Sequence, residues 1–194
     1  MAAFEVAKTV GGTDIAAEIG VTTVASITIG ATSGDGRISQ AYDHLYLTFS
    51  SRNGRTAYFQ YLKYEFNADN GFNYSFTTLQ AENATPISHR GTPADSIRGL
   101  QGDNCASNSL LADTFSANTL WIPHYANTAN FKSTISTTSI PNNSATNSEW
   151  LVSLTAGLWQ GTPAGITQIL LKPGQLGAEF MQYTSYVLYG ITGA

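Results

Sequence analysis

Charge is what this sequence has least of. Aspartate, glutamate, lysine and arginine make up 11% of its 194 residues, against roughly 25% in a typical globular chain. Threonine, serine, asparagine and glycine occupy the vacated positions, and the hydrophobic share stays at 42%. A weakly charged polar surface costs little to desolvate, which suits a protein packed against neighbours. Basic clusters are also missing: Lys63, Arg90, Arg98, Lys132 and Lys172 stand singly, and the net charge is −4. Nucleic-acid binding needs a footprint that neutralises several phosphates, so it is not expected. Cys105 is the one cysteine, which rules out an intrachain disulfide framework. No run reaches the ~18 apolar residues of a membrane helix. The start, Met1-Ala-Ala-Phe4-Glu5, has no basic segment followed by an apolar stretch, so synthesis and assembly in a cytoplasm are expected.

Helical periodicity is nearly absent too, and strand alternation takes its place. Residues 21–29 (VTTVASITI) precede a turn-rich Gly30-Ala-Thr-Ser-Gly34-Asp-Gly36. Residues 44–50 put Leu45, Leu47 and Phe49 on one face, and 56–66 do the same for Leu62, Tyr64 and Phe66. Between them Asn53-Gly54 is the dipeptide most tolerant of a tight hairpin turn, so 44–50 and 56–66 are expected to pair. Further strands are expected at 74–79, 87–90, within 110–125, and at 131–140, 149–159, 166–171 and 185–191. The last two, joined by Pro173-Gly174, read as a terminal hairpin in which Gly190 marks a close approach or a bulge. So many short strands, about ten residues apart, indicate an antiparallel β-sandwich or barrel. No repeat or linker divides the chain. Residues 21–194 are therefore one domain, and 1–20 an N-terminal arm or first edge strand.

Candidate sites are few. Asn67-Ala-Asp69-Asn70-Gly71-Phe-Asn73 sets oxygen ligands around a glycine, as a calcium loop would. It lacks the closing glutamate of an EF-hand, and the same residues make a tight turn. His44, His89 and His124 have no metal-ligand spacing. Gly-x-Ser-x-Gly is absent, and no motif marks Cys105 as a nucleophile, so no enzyme is expected. No catalytic, cofactor-binding or metal-binding residue is assigned. Trp121, Trp150, Trp159 and ten tyrosines can line a sugar-stacking face. Rings that bury roughly 150–250 Å² each more often fill a core or a subunit interface.

Several segments together resemble a group of tailed-bacteriophage virion proteins. The ending Gly165-Ile-Thr-Gln-Ile169-Leu-Leu171, then Phe180, then Tyr186-Val-Leu-Tyr-Gly-Ile191 is similar to the C-terminal signature of that group. Tyr42-Asp-His-Leu-Tyr-Leu47 with Arg52, Phe66-Asn-Ala-Asp-Asn-Gly-Phe-Asn-Tyr74-Ser75, and Ile122-Pro-His-Tyr-Ala-Asn127 with Lys132 follow in the same order. The resemblance implies a jelly-roll-like antiparallel β-sandwich used as a capsid decoration (cement) or tail-fibre-head module.

On this reading the chain is an adhesive part of a virion. A capsid decoration protein bound to the major capsid protein or other virion proteins is expected, with no nucleic acid or membrane partner. The alternative is a tail-fibre or tail-tip module that recognises a host glycan or protein. Self-association is expected as a homo-oligomer, a trimer. The contact residues expected are Phe4, Val6 and Val10 in the N-terminal segment, with Trp121, Tyr125 and Trp150, and the loops 99–108 and 141–148.

Overall fold

The computed structural model describes residues 4–6, 23–56, 59–83, 85–98, 105–107, 110–142, 150–174 and 177–192, and every regular element among them is a strand. In chain order these are β1 (Phe4–Val6), β2 (Ile27–Gly30), β3 (His44–Ser51), β4 (Phe59–Gln60), β5 (Leu62–Phe66), β6 (Tyr74–Glu82) and β7 (Thr85–Ala94). There follow β8 (Ile97–Arg98), β9 (Cys105–Ala106), β10 (Ser116–Pro123), β11 (Lys132–Ile140), β12 (Leu151–Trp159), β13 (Gln168–Pro173) and β14 (Ser185–Ile191). A large sheet runs β1-β14-β3-β10-β11-β12-β6-β7, a smaller one runs β2-β13-β5-β8, and β4 pairs with β9.

Eight of these strands carry the fold: β1, β2, β3, β5, β8, β10, β13 and β14. Counted along the chain, they lie first-eighth-third-sixth in the large sheet and second-seventh-fourth-fifth in the small one. That antiparallel swirl is a jelly roll, so the expected jelly-roll-like β-sandwich is the fold observed. Two insertions widen it. The β6–β7 hairpin follows β5, the β11–β12 pair follows β10, and all four strands extend the large sheet beyond β10.

The core forms where the inward residues of the two sheets meet. Leu45, Leu47 and Phe49 of β3, Leu120 and Ile122 of β10, and Leu188 of β14 are buried from one side. Ile29, Leu62, Tyr64, Phe66, Ile169 and Leu171 meet them from the other, all with no accessible surface.

Two hairpins expected from the sequence do not exist. Residues 44–50 and 56–66 lie in different sheets, since β3 pairs with β10 and β14 and β5 pairs with β13 and β8. Their apolar faces meet across the core instead, with the Phe49 and Tyr64 rings edge to face at 6.2 Å. Asn53 is no hairpin turn. It is buried, and both its backbone N–H and its amide group donate to the Ala106 carbonyl at the crossing between sheets. The terminal pair is likewise split, β13 to the small sheet and β14 to the large one. Gly190 marks the close approach expected of it. A Cβ there would stand 2.3 Å from the Tyr42 ring.

Candidate functional site

The insertions give the large sheet an unusual polarity. At the middle of β11, β12 and β6 the inward positions are hydroxyl and amide residues: Thr134, Ser136, Thr138, Ser153, Thr155, Thr78 and Gln80, all buried. Tyr74, Phe76, Ile140, Leu151, Trp159 and Lys132 fill inward positions at the strand ends. The polar groups at the middle satisfy part of one another's hydrogen bonding, as between Thr78 and Thr155 at 2.9 Å and from Thr138 to Asn118 at 2.9 Å. Large hydrocarbon side chains stand among the outward positions of the same strands. Leu79 is 58% exposed, Ile135 51%, Val152 51% and Leu154 46%. A protomer on its own would be expected to turn that face inward.

Strand register arranges the outward residues into rows across the sheet. One row runs Tyr189, Tyr46, Trp121, Ile135, Ala156, Thr77. The next runs Val187, Thr48, Thr119, Thr137, Leu154, Leu79, and a third Ser185, Ser50, Ala117, Ser139, Val152, Ala81. Across these six strands no outward position carries Asp, Glu, Lys or Arg. The small residues of the third row form the floor of a shallow trough of about 580 Å³, bordered by Thr48, Thr119, Thr137 and Val187. Along the opposite side the first row supplies a ridge, in which Tyr46 lies 6.4 Å from both Trp121 and Tyr189 between ring centroids.

The outer face of the small sheet is built the other way. Lys63 pairs with Asp95 at 2.8 Å, Lys172 with Glu65 at 2.9 Å, and Arg98 lies 3.8 Å from Asp95. Burial pushes the Asp95 carboxyl up, but the hydrogen bonds and charges of Lys63, Ser96 and Arg98 outweigh it, and the group sits below its ordinary value. One broad face is thus ionic, and the other is uncharged over six strands, with Arg90 of β7 beside Thr77 at its margin.

The residues singled out from sequence distribute unevenly over this frame. Trp121 stands half-buried on the uncharged face, and Trp150 is exposed just before β12. Tyr125 is enclosed within the protomer, its hydroxyl donating to the Ser39 carbonyl, so it is not available as a contact side chain. Phe4 and Val6 lie in β1, paired with β14 at the sheet margin. Val10 lies outside the described residues, as do most of 99–108 and 141–148; of the first loop, Cys105, Ala106 and Ser107 are buried. Sequence reasoning missed Tyr46, Tyr189, Leu79, Ile135, Val152 and Leu154. Their signal was the alternation itself, read without knowing which side is inward.

The other candidates resolve into structure. Both Asp69 oxygens are occupied by N–H donors: Gly71 and Asn73 on Oδ1, Asn73 and Trp159 on Oδ2, at 2.7–3.1 Å. Asn67 Oδ1 accepts from the backbone of Thr167 and Gln168. A calcium ion would have to displace these donors, so the segment is a hydrogen-bonded turn. His44 and His124, which no spacing had paired, come together with ring centroids 4.8 Å apart. The His124 backbone N–H donates to His44 Nδ1 at 3.1 Å. No third His, Cys, Asp or Glu completes a metal set among the described residues. Burial pushes the Cys105 thiol up to about 11 despite hydrogen bonds with Ser51 and Asn53, which keeps it protonated and unreactive at neutral pH.

Comparison with protein-family models, with curated proteins and with solved structures finds no match to this chain.

Proposed function

We propose that this protein is a structural subunit of a particle exterior, which acts by adhesion through the uncharged outer face of its large sheet. The observation that carries this reading is the inverted polarity of β11, β12 and β6. Exposed Leu79, Ile135, Val152 and Leu154 lie over buried Ser and Thr side chains. Exposed apolar patches beyond a few hundred Å² mark interaction sites, and low overall charge keeps the desolvation of such a contact cheap. The ordered sequence resemblance from Tyr42 to Ile191 supports the finer reading, a bacteriophage capsid decoration protein held on the major capsid protein.

The test is to mix the purified chain with capsid shells that lack it, then follow co-sedimentation and shell disruption on heating. Saturable binding and a raised disruption temperature are expected, both lost in Leu154→Glu. Absence of binding to shells, with binding to host cells instead, would overturn the decoration reading. It would favour a receptor-binding tip, for which the Tyr189, Tyr46 and Trp121 ridge is the supporting feature.

A further inference from the structure

We propose that the uncharged face of the large sheet docks on the same face of a second copy of this chain, as a closed two-fold pair. The inference rests on reading this face as an assembly surface and names its partner. The closed pair buries the face, a shell is held by the pair as a bivalent unit, and Leu154→Glu loses shell binding by separating the pair.

Three observations favour a copy over a different protein. The first is charge. A face without Asp, Glu, Lys or Arg over six strands offers no ion pair to an acidic or basic partner. A second such face leaves no charge unpaired when water is expelled. The second is area. Six strands about 4.8 Å apart, with three paired rows about 6.7 Å apart, cover roughly 580 Å². Each partner at the low end of specific interfaces buries about 600 Å².

The third is shape, and it fixes the arrangement. Take a two-fold axis lying in the interface along the middle row, through Thr119 and Thr137. Rotation about it lays the bulky row of one copy over the small row of the other, strand on equivalent strand. Tyr46 then meets Ser50 of the second copy, Trp121 meets Ala117, and Ile135 meets Ser139. On β12 the sizes reverse, and small Ala156 receives Val152. Each ridge enters a trough, and the symmetry fills both troughs at once. Residues on the axis face their own copies. The pair closes on itself, since an isologous contact uses the same patch on both subunits. It differs in this from the trimer expected from the sequence. Sheets packed face to face lie about 10 Å apart and are rotated by about 30°, so the match is closest near the axis.

The test uses the full chain. Sedimentation equilibrium at micromolar concentrations is expected to give twice the chain mass. Leu154→Glu is expected to weaken association by more than about a hundredfold, as an unpaired charge in a dry interface does, with the circular dichroism spectrum unchanged. Thr137→Cys is expected to form dimers with a short bifunctional thiol reagent, because position 137 faces its own copy. Lys172→Cys on the ionic face is expected not to, and native Cys105 is too buried to compete. A chain monomeric at about 100 μM, far above the Kd of a specific contact this size, would overturn the pairing. So would equal crosslinking from positions 137 and 172. If that monomer still bound capsid shells and Leu154→Glu abolished the binding, the pairing would fall while the adhesive function stood. If Leu154→Glu altered neither property, both would fall.

Discussion

At the scale of single residues, Asp69 anchors a turn that reaches across the fold. Its carboxylate takes N–H donors from Gly71, Asn73 and Trp159, which ties the turn between β5 and β6 to the end of β12. Burial pushes the Asp69 carboxyl up, yet the bonds from Trp159, Gly71 and Asn73 outweigh it, and the group sits below its ordinary value. The folded state therefore favours the ionised form. That stability is present above the ordinary carboxylate range and is lost as pH falls through the lower folded value. Asp69→Asn, which places an N–H group among N–H donors, is expected to cost about 1–3 kcal/mol at neutral pH. Denaturant melts of the two proteins should converge only below the ordinary carboxylate range, as pH falls through the lowered folded value and the wild-type carboxyl takes up its proton. Added calcium should leave the wild-type melting temperature unchanged. The turn itself was readable in Asn67-Ala-Asp-Asn-Gly. Its anchor was not, because Trp159 comes 90 residues later and no local pattern connects them.

At the scale of elements, the hydroxyl pair between β6 and β12 offers a clean measurement. Thr78 and Thr155 sit opposite each other, buried, with their oxygens 2.9 Å apart. Thr155→Val strands the partner hydroxyl away from water and should cost about 1–3 kcal/mol. The double variant, Thr78→Val with Thr155→Val, removes both polar groups at nearly constant shape and should recover most of that loss. A thermodynamic cycle from urea melts checks this, and additive losses would show that the hydroxyls find other partners. The pair also shows why strands were easier to read than their neighbours. Alternation located β3, β6, β10, β11, β12 and β14 to within a few residues. A period of two reports two faces, however, and not which sheet a strand joins or which face is inward. Leu45, Leu47, Phe49 and Leu62, Tyr64, Phe66 gave identical signals whether paired edge to edge or packed face to face. In β12, Val152, Leu154 and Ala156 alternate with Ser153 and Thr155 as a half-buried strand should. The usual rule would turn the hydrocarbon inward, and the uncharged face is hidden by that rule.

At the scale of the whole molecule, the swirl makes the end of the chain indispensable to its beginning. β14 lies between β1 and β3, and β13 lies between β2 and β5, so neither sheet closes until residues 168–191 are in place. The segments that carry the sequence resemblance sit at these closures. Tyr42 packs over Gly190, Asn67 holds the backbone at 167–168, and the Tyr125 carbonyl accepts from the Ile166 N–H at 2.9 Å, just before β13. These segments therefore lie where the jelly roll is closed, and of the uncharged face they supply Tyr46, Val187 and Tyr189, while Leu154 and Ile135 lie outside them. Removing residues 185–194 takes Tyr186 and Leu188 out of the core and leaves β1 and one edge of β3 without their partner. Such a chain is expected to lose cooperative thermal unfolding and its near-ultraviolet dichroism. Gly190→Ala is the graded form of the same experiment. The added methyl group lands on the Tyr42 ring, and overpacking of this kind costs about 1–3 kcal/mol while leaving the fold cooperative. Pairing Gly190→Ala with Tyr42→Ala should relieve the clash, so the double variant should lose less stability than the two single losses added together. Additive losses would mean that β14 meets no steric limit at this position and that the closure depends on backbone pairing alone.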